Sequence, residues 1–472
     1  MSEASLPVAI IGAGPVGLAA AAQLIERGLT PLVFERGAGV GSAMSSWAHV
    51  RVFSPWRYNI DDAARRLLDA HGWQAPDPDA LPTGGEIIST YLNPLAALPQ
   101  MRDAIRLNAE VVAVTRAGLD KVTSSSREAQ PFSVRWRDAD GVVHTTLARA
   151  VIDASGTWHQ PNPIGIDGLP VTGEDAHADR IAYGMPDVLG AARDDYAGQR
   201  VLVIGSGHSA IQSALALLEL QKDVPGTHVT WGLRRNRIER LLGAGLNDQL
   251  PARGALGLAA RQAIDDGQLE MLAPFAVQAI HSNGDGLSVE ATHDGNPMTL
   301  DVDRIIVATG FRPDIDMLRE LRVSLDPAVE APPALAPLID PNLHSCGTVP
   351  PHGIEELSHP EKDFVIVGAK SYGRAPTFLM ATGYEQVRSV AAELAGDHEA
   401  ARQVHLVLPE TGVCSTSNLV AADTTQGCCG GPAKSEDSCC VADEVAKSEG
   451  ADGCGCGSAA PAKPHIRMTA DA

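Results

Sequence analysis

Cysteine is nearly missing from the body of this chain: of eight, only Cys346 precedes residue 414. That distribution is unlike the disulfide framework of a secreted domain. No apolar run approaches the roughly 18 to 20 residues needed to span a bilayer, so no transmembrane helix is expected. The opening MSEASLP is polar and acidic and leads straight into a strand, so no secretory signal is expected and the cytoplasm is the expected compartment. Basic charge is scarce as well. Lys and Arg number 37 against 58 Asp and Glu, a formal net charge of -21, and no basic patch interrupts the acidity. Binding to polyanions draws on clustered positive charge, so neither nucleic acid nor membrane is an expected partner.

What is present in quantity is apolar residues, 44% of 472, enough for two or three domains with sizeable cores. Two glycine fingerprints organise them. The first is VAIIGAGPVGLAAAAQLIERGLTPLVFER, in which Gly12, Gly14 and Gly17 follow a short apolar strand and open a helix. Gly12 permits the tight turn, Gly14 lets backbone approach a pyrophosphate, and Gly17 lets the helix pack close to the strand. Glu35, at the end of the next strand, is placed to accept the hydroxyls of an adenosine ribose. A fingerprint at the N-terminus with an acidic strand end points to the ADP half of FAD. Arg36 and Trp47 are assigned to the same site.

The second fingerprint, VLVIGSGHSAIQSALALL, has Gly205, Gly207 and Ala210. Its following strand ends in WGLRRN, without a carboxylate. Arg234 and Arg235 stand where an acid would repel a 2′-phosphate, so NADPH is the expected second cofactor. Two dinucleotide sites on one chain imply that the protein moves hydride.

The intervening segments predict the architecture. AEVVAVTRAG, PFSVRWRDA and GVVHTTLARAVIDASG read as strands of a meander beside a parallel sheet, with helical pieces at 61–70 and 85–98. VIDASGTWHQP and IIVATGFRPD end apolar strands in small residues, including Gly156, Thr309 and Gly310, as expected where backbone passes close to a cofactor or a second domain. The fold class is therefore α/β with two Rossmann-type dinucleotide-binding domains. A discontinuous FAD domain (1–170 and 301–408) receives an inserted NADPH domain (171–300). Residues 409–472 form a Cys-rich tail. From Gly412 on it lacks Phe, Trp and Tyr, so it is expected to be disordered.

The order of fingerprint, hinge, fingerprint and hinge over residues 6 to 395 resembles the flavin-containing monooxygenases. That resemblance implies a flavoprotein using NADPH, O2 and a small-molecule substrate. VTGEDAHADRI partly matches the F-x-G-x-x-x-H-x-x-x-[Y/F] motif of that family, keeping Gly173 and His177 but placing Val171 and Ile181 at the aromatic ends. Where animal and yeast members carry an asparagine above the flavin, HVRVFSPW offers Phe53 or Ser54. Arg51, Ser54 and His177 are the candidate catalytic residues. Disulfide reductases of this fold need a paired C-x-x-C or C-x4-C beside the flavin, and the body has none.

The tail holds Cys414, the pairs Cys428-Cys429 and Cys439-Cys440, and Cys454 with Cys456. Adjacent thiols form only a strained disulfide, but several on one chain can gather thiolates around a soft ion. Zinc ribbons use C-x2-C spacing, which the tail lacks; trivalent arsenic, bound by three sulfurs, fits better. The tail and LPETGVCS resemble flavin monooxygenases of actinobacterial arsenic-resistance clusters. An arsenic-resistance monooxygenase is the leading expectation, with Cys428, Cys429, Cys439, Cys440, Cys454 and Cys456 as metalloid ligands. An NADPH-dependent flavin or thiol-disulfide reductase, and a metalloid-binding protein on a flavoprotein scaffold, are the alternatives. A homodimer is left open.

Overall fold

The computed structural model describes residues 6–235, 251–343, 350–375 and 379–406. Cys346 and the whole Cys-rich tail, with its expected disorder and ligands, lie outside the described residues.

The chain begins β1 (Val8–Ile11), α1 (Pro15–Glu26), β2 (Pro31–Phe34). All four residues of β1 and of β2 are buried, as required of strands in a parallel sheet covered on both faces. Pro15 starts α1, where a missing N–H costs nothing, and Gly14 caps it without a side-chain hydrogen bond. The run Ala19–Ala22 is fully buried. With side chains this small, the helix lies close to the sheet and under its neighbour α2 (Asp62–Asp69). Asp61 caps α2 by accepting the Ala64 N–H at 2.9 Å.

After β3 (Ile105–Arg106) come β4 (Glu110–Arg116), β5 (Phe132–Arg137) and β6 (Val143–Ala148), the expected antiparallel meander. GVVHTTLARAVIDASG, expected as one strand, divides at Arg149. Its first part is β6, which alternates between exposed and half-buried until the buried Ala148, and its second is β7 (Ala150–Asp153), wholly buried and paired in parallel with β1.

The second half runs β8 (Ile181–Tyr183), β9 (Arg200–Ile204), α3 (His208–Asp223), β10 (His228–Gly232), α4 (Pro251–Asp265) and β11 (Glu270–Leu272). A second meander follows, β12 (Phe275–Asn283), β13 (Gly286–His293) and β14 (Asn296–Val302), then β15 (Arg304–Val307). Then come β16 (Phe364–Ile366), α5 (Met380–Leu394) and a short helix, His398–Arg402. The sheets have the orders β16-β7-β1-β2-β3 and β11-β10-β9-β15-β8, each parallel, with a three-stranded meander accompanying each.

This topology corrects one boundary. The return to the first sheet was expected from Asp301, but β15 sits between β9 and β8 and belongs to the second sheet. The chain crosses back only after Val307. After Arg304 the strand is apolar and buried (Ile305, Ile306, Val307) and fits the interior of either parallel sheet, so its composition cannot choose between them.

Candidate dinucleotide sites and their junction

Both glycine turns leave the carboxyl ends of central strands, Gly12 after β1 and Gly205 after β9. Ligands of open α/β sheets bind at such crevices. The glycines divide by role. A Cβ on Gly17 would lie 1.9 Å from the Gly12 carbonyl oxygen, and one on Gly12 2.7 Å from that of Ala154; both are packing glycines. Gly14 is different, because a Cβ there would meet no atom within 4 Å. The second site repeats the pattern. Gly205 has φ +143° and lies against Ala308, where a Cβ would be 2.3 Å from the carbonyl oxygen, while the space at Gly207 is open. Both helices begin without a side-chain cap, which leaves first-turn N–H groups for an anion. Ala210 is fully buried in the first turn of α3. These open cradles fit the phosphates of dinucleotides.

Glu35 is 4% exposed and already engaged. Its Oε2 accepts the Ala13 N–H at 2.8 Å, and its Oε1 accepts the Gly37 N–H at 2.8 Å and the Ser42 hydroxyl at 2.6 Å. Of about four lone-pair sites on a carboxylate, one remains for a ribose hydroxyl. Glu35 therefore shapes the fingerprint loop. Arg36, next in the chain, is exposed, with Nη2 3.7 Å from Glu110. Burial, and then the Arg36 charge, hold His159 below the ordinary imidazole range.

At the second site Arg234 and Arg235 follow β10, beside the Gly205 turn, whose N–H donates to Gly232 O. Burial and the neighbouring Arg235 charge lower the Arg234 pKa. Neither arginine forms an ion pair among the described residues. Their charge faces no carboxylate there, as a 2′-phosphate site requires.

The two crossing segments are bound together. Asn162 N–H donates to Gly310 O at 2.9 Å, its side-chain amide to Thr309 O at 3.1 Å, and the Thr309 hydroxyl to Asn162 O at 2.9 Å. Gly156 and Gly310 have φ of +70° and +89°, a region that favours glycine. Trp158 fills the angle between these segments, its ring 4.7 Å from Phe311 and 6.5 Å from Trp47. Trp47 in turn lies against Gly84.

The candidate catalytic residues fare differently. Ser54 is buried and donates its hydroxyl to Asn59 Oδ1 at 2.8 Å; it closes a turn. The Arg51 guanidinium is exposed and turned to Leu81 O and Glu86. His177 precedes β8 at the amino end of the second sheet, whereas Gly205 follows the carboxyl end of β9. A strand's length separates it from the second fingerprint.

Sequence reading missed a buried network. Lys370 Nζ lies 2.6 Å from Asp153 Oδ2 and 3.0 Å from Ser155 Oγ, joining the carboxyl ends of β7 and β16. The one available signal was a lysine two residues past Gly368 in an apolar segment. Among the described residues no His, Cys, Asp and Glu cluster could hold a metal, and no helix is long and apolar enough to cross a membrane.

Comparison with known proteins agrees with this geometry. Residues 9–336 match the pyridine nucleotide-disulphide oxidoreductase family. The chain is 27% identical over 244 residues to flavin-containing monooxygenase FMO GS-OX-like 2 of Arabidopsis thaliana, covering 46% of this chain and 48% of that protein. It is 24% identical over 314 residues to ferredoxin–NADP reductase of Streptococcus pyogenes, covering 66% and 75%. Among solved structures, bacillithiol disulfide reductase of Bacillus cereus has a TM-score of 0.61 at 20% identity, covering 83% of this chain and 99% of that one.

Proposed function

This chain belongs to the pyridine nucleotide-disulphide oxidoreductase family, and on that premise we propose that it is an FAD- and NADPH-dependent monooxygenase acting on a trivalent arsenical or another small soft nucleophile. The observation that carries the reading is the pair of open glycine cradles, at Gly14 and Gly207, on two parallel sheets joined by clasped hinges. The chemistry FAD supplies when bound is two-electron transfer from NADPH to O2, one oxygen atom going to substrate and the other to water.

The protein's residues supply the rest. Gly14 and the first turn of α1 receive the FAD pyrophosphate, with Glu35 at the ribose. Gly207 and the first turn of α3 receive that of NADPH, with Arg234 and Arg235 at the 2′-phosphate. Trp47, Trp158 and Phe311 supply apolar surface at the junction. The body of the sequence offers no cysteine pair to carry electrons to a disulfide, which favours O2 as acceptor. The tail thiols support an arsenical as substrate, because trivalent arsenic prefers sulfur ligands and a linked tail raises its local concentration.

The test follows NADPH oxidation and O2 uptake by the purified yellow protein, with and without trivalent arsenicals. O2-coupled NADPH oxidation stimulated by the arsenical supports the reading. Anaerobic oxidation that reduces tail disulfides favours the reductase alternative. Arsenical binding with no NADPH turnover leaves the metalloid-binding one.

A further inference from the structure

The segment that begins at the first fingerprint ends on the second. At one end Gly41 N–H donates to Ala13 O at 2.9 Å, inside the first glycine turn, and the Ser42 hydroxyl donates to Glu35. At the other end the Phe53 ring meets the imidazole of His208 edge-on, with centroids 5.5 Å apart. Two residues earlier, Arg51 O lies 3.5 Å from Gln212 Nε2, one turn further along α3. His208 is the first residue of α3 and follows Gly207, beside the open cradle of the second site. No other residue of the second fingerprint, GSGHSA, carries so large a side chain.

We propose that residues 41–53 couple the two nucleotide sites, with Phe53 and His208 as the positioning pair. The inference rests on the assignment of Gly205–Gly207 to NADPH. An anion over Gly207 orders the first turn of α3, and with it the imidazole that Phe53 packs against. The shift reaches Gly41 and Ser42 through a short helix (Ser42–Ser45) and the turn at Trp47, and these contacts set the loop that Glu35 holds. Such coupling is reciprocal, so a filled first site strengthens binding at the second. An aromatic pair of this kind supports a factor of about three to ten in affinity.

The test uses FAD-loaded protein and NADP+, with no turnover. Amide hydrogen exchange over residues 41–53 is expected to slow when NADP+ is added to the wild type. In Phe53→Ala that response should vanish, NADP+ should bind about three- to tenfold more weakly, and FAD content should stay the same. His208→Ala, read at saturating NADP+, makes the same break from the other side and serves if Phe53→Ala loses FAD. Wild-type affinity and an undiminished response of residues 41–53 in these variants would overturn the coupling. Failure of the wild type itself to bind NADP+ would instead remove the nicotinamide assignment, and the coupling with it.

Discussion

Lys370 and Asp153 form an ion pair of 2.6 Å in which neither side chain is more than 1% exposed, although 217 positions separate them in the chain. The pair ties the last strand of the first sheet to the start of the first hinge. Removing one member leaves the other charge buried, at a cost of about 3–5 kcal/mol. Lys370→Met should therefore lower stability by that order in urea unfolding, and Lys370→Met with Asp153→Asn by clearly less than the sum of the singles. Additive losses would mean that the two groups do not act as a pair.

The two kinds of glycine predict two phenotypes. Gly14→Val directs a side chain into open space over the pyrophosphate path, so flavin absorbance of the purified protein should disappear while the thermal transition survives. Gly17→Ala drives a Cβ against Gly12 O and should destabilise the fold itself. Stoichiometric FAD in Gly14→Val would show that the first fingerprint holds something else.

Arg234 and Arg235 should set the choice of nucleotide. A charge-assisted hydrogen bond to phosphate contributes about 1.5 to 3 kcal/mol, so replacing both with Ala should lower kcat/KM for NADPH at least about tenfold. The value for NADH should change little. Equal losses with both nucleotides would assign the arginines to the fold.

Burial pushes the Asp61 carboxyl up to about 6, from an ordinary 3.8. Between those values the folded chain keeps a proton that the unfolded chain has released. Stability from this group is thus present at low pH and lost as pH rises through about 6. The loss amounts to at most about 3 kcal/mol. Asp61→Asn retains an acceptor for the Ala64 N–H and should flatten the pH dependence of unfolding across this window relative to wild type.

Truncation before Cys414 removes seven cysteines and neither fingerprint. FAD content and basal NADPH oxidation should survive it, while trivalent arsenic binding and turnover at low arsenical concentration should fall. Loss of flavin reoxidation in air would make the tail an electron acceptor.

Most of this fold was legible because glycine acts locally. A turn with positive φ or a helix packed against a carbonyl can be read from G-x-G-x-x-G within a few residues, and Gly12, Gly17 and Gly205 stand where that logic puts them. The side chains joined across the fold were not legible. Nothing near Lys370 names Asp153, and nothing near Phe53 names His208. The assignment of β15 failed for a related reason, since a strand buried on both faces records only that it is buried. Ser54 and His177 show the converse: a reactive side chain near a motif has no role at the motif until the fold sets its direction. Ser54 spends its hydroxyl on Asn59, and His177 stands at the far end of the sheet.

The clasp between Asn162 and Gly310 makes the segment that carries the second sheet a cassette. Its entry and exit points are joined by a 2.9 Å hydrogen bond, so the segment from 163 to 309 begins and ends at almost the same place. Deleting residues 163–309 would bring together ends that are already neighbours, without a designed linker. The same geometry gives a natural insertion point, where one reductant-binding unit could be exchanged for another while the sheet that holds Glu35 keeps its connectivity.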